Sequence, residues 1–423
     1  MPDMTETETT QLQIERLGAG GDGIAGKMFV TGAMAGETVL VCDSGDPKRP
    51  HLFAIIEPSP DRVTPPCPYF GDCGGCALQF MTPQAIGAWK TDVVAQALFM
   101  RSIDIPVEPA FPIAPGDRRR FVLKAVKING ELKLGFNRRG SHDVVAIDHC
   151  LLVSPSLNAL LPVLARSLKT LLPEKAWAKI HATDTPVGAD IWVEASQGAE
   201  GLGLARISRL LALPELSRLS WNGLLIGEKT KPRITIDGLL IDPPPRAFLQ
   251  ASRCGEEQLI AFARHHAGQA KSVIDLFCGV GTFALPLARR AKVSAYDSEK
   301  PAIAALERAA RTNEGLKPIS AIHRDLFRAP LTPEELDKAD VVVIDPPRAG
   351  CEAQARHLAQ SRVGSVIAIS CDPGTFARDA RILLDGGFVL DHVQVIDQFV
   401  WSPHIELAAY FSRPASGKKS RKI

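Results

Sequence analysis

Asp275-Leu-Phe-Cys-Gly279-Val-Gly281-Thr-Phe-Ala284 is the stretch that decides how this chain folds. An apolar run at 272–276 leads into it and a helical pattern leaves it, so it reads as strand, glycine loop, helix. Glycines at 279 and 281 let the backbone approach a ligand at the start of the helix. From residue 248 onward the βα alternation continues. Strands are expected at 272–276, 292–296, 341–344, 363–369 and 388–396, with helical patterns between them. A last strand at 405–411 follows without a full helix. The pattern predicts an α/β domain built on a doubly wound parallel sheet, with a reversed strand at its end.

Sheets of this class bind ligands at the carboxyl ends of their strands. Several acids fall there. Asp275 precedes the loop, and Asp297 ends the next strand, where an acidic side chain takes ribose hydroxyls. Asp325 follows one βα unit later, within reach of an adenine amino group, and Asp345 opens Asp345-Pro-Pro-Arg348. The arrangement resembles the S-adenosylmethionine site of class I methyltransferases. A nicotinamide or flavin nucleotide site is the competing reading, and the Asp-Pro-Pro turn does not belong to it. In amino-group methyltransferases an aromatic residue follows the prolines. Arg348 stands there instead, which points away from exocyclic amines.

Two further features share that end of the sheet. Ser370-Cys371-Asp372-Pro-Gly-Thr375 follows the apolar run at 363–369, which sets a cysteine just past a strand end. A lone cysteine there is more often a small buried hydrophobe. The glycine loop and Asp345 are what make Cys371 a candidate nucleophile. His404-Ile-Glu406 opens the last strand, and a glutamate entering an otherwise apolar strand is costly to bury unless it is paired or functional.

The rest of the chain is organised differently. With 423 residues, two or three domains are expected. Apolar content of 45% and charged content of 23% are ordinary for a globular protein. No apolar run reaches membrane-spanning length, and the acidic, polar start is not a secretory signal, so a cytoplasmic protein is expected. A formal charge of +2 neither demands nor excludes nucleic acid, although Arg118-Arg119-Arg120, Arg138-Arg139 and Lys418-Lys419-Ser-Arg421-Lys422 are local basic clusters. Residues 11–58 alternate apolar and polar positions between glycines and read as a small β-barrel. A proline-rich linker is expected at 57–68, then a mixed α+β region with helices at 83–99 and 154–172. Nine cysteines is an odd number, which argues for reduced thiols with metal or catalytic uses. Cys67, Cys73 and Cys76 stand within ten residues among glycines and can wrap one metal centre, with Cys150 as the best fourth ligand. Spacing alone does not separate structural zinc from an iron–sulfur cluster.

Together these residues resemble the RNA uracil-C5 methyltransferases, the enzymes that make 5-methyluridine in tRNA and ribosomal RNA. The resemblance covers most of the chain. It implies a class I, Rossmann-like methyltransferase domain at 247–413 and a basic tail at 414–423. It implies a TRAM-like, RNA-binding barrel at 1–58, carried by Phe29-Val-Thr-Gly-Ala-Met-Ala-Gly-Glu37, and a central domain at 59–246. Cys67, Cys73, Cys76 and Cys150 match the family's [4Fe-4S] ligands. Gln250 of Phe248-Leu-Gln250, Asp275, Phe277, Gly279, Gly281, Asp297 and Asp345 match cofactor or substrate positions, with Asp325 read beside them as a cofactor contact. Cys371 matches the nucleophile and Glu406 the base. Ser252 and Asp372 depart from the family, which often has Asn at both places. Barrel and cluster together look more like the enzymes acting on 23S rRNA than those acting on tRNA. RNA is the implied partner, with no membrane and no protein partner. A tRNA uridine is the alternative substrate, and a non-catalytic RNA-binding protein the alternative class.

The chemistry agrees with that carry-over. C5 of uracil is too weak a nucleophile to take a methyl group from a sulfonium unaided. A thiolate adding to C6 makes C5 nucleophilic, and a base must later remove the C5 proton. The uracil must leave its stack to be reached, so loop or single-stranded RNA is expected.

Overall fold

The computed structural model describes residues 8–414. The expected basic tail lies, apart from Pro414, outside the described residues. One eight-stranded sheet dominates. Its strands are β1 (Glu108–Phe111), β2 (Ser272–Leu276), β3 (Lys292–Asp297), β4 (Ile319–His323), β5 (Val341–Ile344), β6 (Ser365–Ser370), β7 (Val389–Ile396) and β8 (Glu406–Ser412). They lie in the order β4-β3-β2-β5-β6-β8-β7-β1. Neighbours from β4 to β6 run parallel, and β8 runs against both β6 and β7.

Three strand expectations need correction. The reversed strand is not at the end of the sheet but wedged between β6 and β7. The strand expected at 363–369 begins at Ser365. β4 escaped notice because Ile319-Ser-Ala-Ile-His323 is short and half-exposed at the sheet edge, with little apolar signal.

Buried strands alternate their side chains between two cores, as a sheet covered on both faces must. Val273, Val293, Val341 and Val343 face one core, with α3 (Arg253–Ala267) and α4 (Lys300–Thr312) over it. Ile274, Leu276, Val342 and Ile344 face the other, covered by α1 (Pro83–Phe99), α5 (Glu352–Gln360) and α6 (Pro373–Asp385). Two pieces that the sequence grouped with the central region therefore lie on this sheet. Helix α1 packs Val94 and Leu98 on one face, and β1 extends the edge beside β7.

The helix at 83–99 has the expected bounds, because Thr82 caps it and Pro83 starts it. Helix α2 (Pro155–Leu171) likewise begins behind the cap Ser154 and covers one face of a seven-stranded, mainly antiparallel sheet spanning 120–228. Residues 9–57 form two three-stranded antiparallel sheets around Ile14, Ala25, Val30, Ala33, Val39 and Val41. The proline-rich segment after them is not a loose tether. Arg62 reaches back to fully buried Glu37, with Nη2 2.8 Å from Oε2, and to the Gly32 carbonyl. Burial pushes the Glu37 carboxyl up, but Arg62 and the Met34 and Ser59 amides outweigh it and hold the carboxyl below its ordinary value.

Lys90 is the most deeply buried cation on α1. It is fully enclosed and lies 2.5 Å from Asp397, with the Phe399 carbonyl at 3.0 Å. Removing one partner of a buried pair strands the other, at a cost of about 3–5 kcal/mol. Lys90→Met should destabilise the protein by that order in denaturant titrations. Lys90→Met with Asp397→Leu should be less destabilised than Lys90→Met alone. A double variant no better than the single would show that the pair does not hold the helix to the sheet.

Candidate active site

The sheet order reverses between β2 and β5, and the candidate residues gather at that carboxyl end. Asp275 is wholly buried near the end of β2, and among the described residues neither carboxylate oxygen has a hydrogen-bond partner at ordinary geometry. Burial, then Asp345 and Asp297, raise its carboxyl well above the usual range, against an opposing pull from the Ala284 amide. The loop that follows is strained. Phe277 sits at φ +62° and Gly281 at φ +102°, where a Cβ would stand 2.5 Å from Leu306. Gly279, at φ +53°, opens onto free space. Asp297 accepts from the Gly279 amide at 2.8 Å and from the Glu299 amide at 2.8 Å, so it braces the loop. Asp325 lies further out. One oxygen accepts from the Phe327 and Arg328 amides, a turn of its own, and Phe327 packs 5.5 Å from Phe277. An unsatisfied buried carboxylate, an open glycine loop and a second acid at the next strand end fit a cationic nucleoside cofactor.

Asp345, just past β5, is joined to Glu406 by two glutamines. Gln250 Nε2 donates to Asp345 at 3.1 Å. Gln398 Nε2 donates to Gln250 Oε1 at 2.9 Å and to Glu406 Oε2 at 2.7 Å. Burial raises both carboxyls above their ordinary values, and Asp345 adds to the rise at Glu406. Gln398 was not among the sequence candidates. The polar pair Asp397-Gln398 closing an apolar strand was the available signal.

Cys371 follows β6. Ser370 pairs with Leu407, so one step further along the same register Cys371 and Glu406 are cross-strand neighbours. Burial, then Glu406 and Asp345, push the Cys371 thiol up to about 11, against the pull of Arg348. Arg348 also donates to the ring of His404 at 3.2 Å. Burial first, then Arg348, holds His404 below its usual value, so the ring rests neutral as an acceptor. The two departures from the family pattern are both helix caps. Ser252 accepts from the Gly255 amide at the start of α3, and Asp372 from the Thr375 amide at the start of α6. Ser, Asp and Asn cap interchangeably, so neither change disturbs the local fold.

Next to this site lies a cavity of about 520 Å³ reaching from Arg348 and His404 to Cys67, Cys73, Cys76 and Cys150. Gly74 is required there, since a Cβ would stand 2.7 Å from the Asn137 carbonyl. Burial raises the thiols of Cys73 and Cys150, and that of Cys76 to about 12. Among the described residues no three Cys, His, Asp or Glu side chains are gathered closely enough to hold a metal ion. No described helix is long and apolar enough to cross a membrane.

Known proteins extend this picture. Residues 243–414 match the family model of tRNA (uracil-5-)-methyltransferases. The chain is 42% identical to an uncharacterized RNA methyltransferase of Brucella suis, over 97% of this chain and 99% of that protein. It is 32% identical to a 23S rRNA (uracil(1939)-C(5))-methyltransferase of Halomonas elongata, over 97% of this chain and 91% of that one. In fold it matches a tRNA (uracil-54, C5)-methyltransferase of Pyrococcus abyssi bound to S-adenosyl-L-homocysteine, with TM-score 0.75 and 20% identity over 95% of this chain and 99% of that one. The chain belongs to the RNA uracil-C5 methyltransferase family, and is an S-adenosylmethionine-dependent enzyme.

Proposed function

We propose that this protein methylates C5 of one uridine in 23S rRNA through a covalent bond between Cys371 and C6, acting in the cytoplasm. The observation that carries the chemistry is the register that sets Cys371 beside Glu406, with half-buried Asp345 joined to the same group. Asp275, Phe277, Gly279, Gly281, Asp297 and Asp325 are assigned to the nucleoside cofactor, with Gln250 and Asp345 where cofactor and uracil meet. When bound there, S-adenosylmethionine supplies an electrophilic methyl group.

The Cys371 thiol is raised, so it rests protonated and must give its proton to water as the uracil docks. The thiolate adds to C6, and the electron pair displaced onto C5 takes the methyl group. Glu406 then removes the C5 proton. The C–H electrons re-form the C5–C6 double bond, and the C6–S bond breaks back onto sulfur. Arg348, the cation opposing the rise of the thiol, favours the thiolate. The 23S assignment rests on the Halomonas relative, and the N-terminal sheets are assigned as a TRAM-like RNA-binding unit. Cys67, Cys73, Cys76 and Cys150 line one cavity, and burial raises the thiols of Cys73, Cys76 and Cys150, a cost that thiolate bonding to a metal centre would overcome. They are assigned as the ligands of a [4Fe-4S] cluster.

RNA carrying 5-fluorouridine cannot lose a C5 proton, so with S-adenosylmethionine it should give a denaturation-resistant complex with this protein. Cys371→Ala should abolish that complex. Glu406→Gln should accumulate a methylated adduct on ordinary uridine RNA, and wild-type turnover by Glu406→Gln would remove it from the base role. Protein purified without oxygen should be brown and should bleach on replacing Cys76 with Ser, whereas colourless protein with one zinc would overturn the cluster. Cells lacking the protein should lose a 5-methyluridine from 23S rRNA, and loss from tRNA alone would transfer the substrate to the other class.

A further inference from the structure

We propose that Gln398 is a positioning residue for proton removal: its amide holds Glu406 as an aimed carboxylate and joins it to Asp345. The inference rests on the covalent mechanism above and adds a residue to it. Gln398 lies two residues beyond β7, whose terminal Ile396 pairs with Glu406 itself. Its backbone has little freedom. The preceding residue, Asp397, is held by Lys90 and by its own amide on the Phe111 carbonyl, and the Gln398 amide bonds the Ile396 carbonyl. On the other side, α3 presents Gly255, where a Cβ would come within 2.8 Å of Gln398 Cβ. The helix leaves out a side chain where the glutamine stands.

The side chain is buried, and both hydrogens of Nε2 have acceptors, Gln250 Oε1 and Glu406 Oε2. Its Oε1 is buried and has no partner among the described residues. Turning the amide over would set oxygen against the Glu406 carboxylate and against Gln250 Oε1. The observed orientation therefore donates to Glu406, a bond that is stronger to the carboxylate than to the neutral acid. Charged groups surround the pair on every side. Asp345 stands at the end of β5, and Cys371 at the end of β6. The Lys90–Asp397 pair lies behind Gln398, and the Arg119–Glu256 pair behind Gln250, whose carbonyl Arg119 bonds. Arg348 and His404 occupy the outer rim. Burial and Asp345 drive a proton onto Glu406, while the Gln398 amide opposes them.

Gln398→Met keeps length and bulk and deletes the donor. A hydrogen bond to a charged group corresponds to about one pK unit or more. The pH at which turnover rises should therefore move up by about one unit, and turnover near neutrality should fall about tenfold, recovering at higher pH. Trapping of 5-fluorouridine RNA precedes proton removal and should be unchanged, which also reports that the variant is folded. The inference is overturned if Gln398→Met turns over uridine RNA like wild type across that pH range. It is equally overturned if trapping and turnover fall together, since the side chain would then serve packing alone. A wild-type protein that traps no 5-fluorouridine RNA would instead sink the covalent mechanism, and this role with it.

Discussion

Two carboxylates that share one buried polar chain set the terms for the rest of this protein. Glu406 lies out of water and Asp345 is half-buried, and each is pushed toward taking a proton. Two glutamine amides run between them, each Nε2 donating to a carboxylate oxygen. Such a chain works only if its members cannot move, because a half-satisfied buried network is costly. The supports come from far away in sequence. Arg119 holds the backbone of Gln250 while paired with Glu256, and Lys90 holds Asp397 next to Gln398. Both cations belong to the region before residue 247, so that region is part of the catalytic scaffold as well as a candidate RNA surface.

The same environment explains why the proposed nucleophile is quiet at rest. Burial first, then Glu406 and Asp345, raise the Cys371 thiol, and Arg348 opposes them. A thiolate exposed at all times would be prone to oxidation. A thiol that ionises only when substrate rearranges its surroundings avoids that hazard.

Much of the site was legible because its residues break local rules. A glutamate at the head of an apolar strand, a cysteine after one, and glycines between strand and helix each need a reason beyond packing. What stayed hidden depends on pairings between distant segments. The burial of Lys90 is unremarkable on a helix until its partner, 307 residues on, is known. Gln398 reads as a polar residue after a strand, and only the insertion of β8 between β6 and β7 turns it toward Glu406. Helix α1 had the right bounds in sequence, but an apolar helix does not announce which sheet it will cover. Ser252 and Asp372 looked like departures at a site and proved to be helix caps, where chemistry at the terminus matters more than identity.

The placement of β1 and α1 also limits how this chain can be taken apart. A polypeptide starting at residue 247 would retain the glycine loop, Cys371 and Glu406, and would seem a complete enzyme. It would present β7 as a bare edge where β1 normally pairs, and uncover the sheet face under Val94 and Leu98. Open edges and apolar faces of that kind drive chains to associate with one another. The catalytic half is therefore not a movable module. Any natural shuffling or engineered fusion that keeps it working has to carry residues 83–113 along.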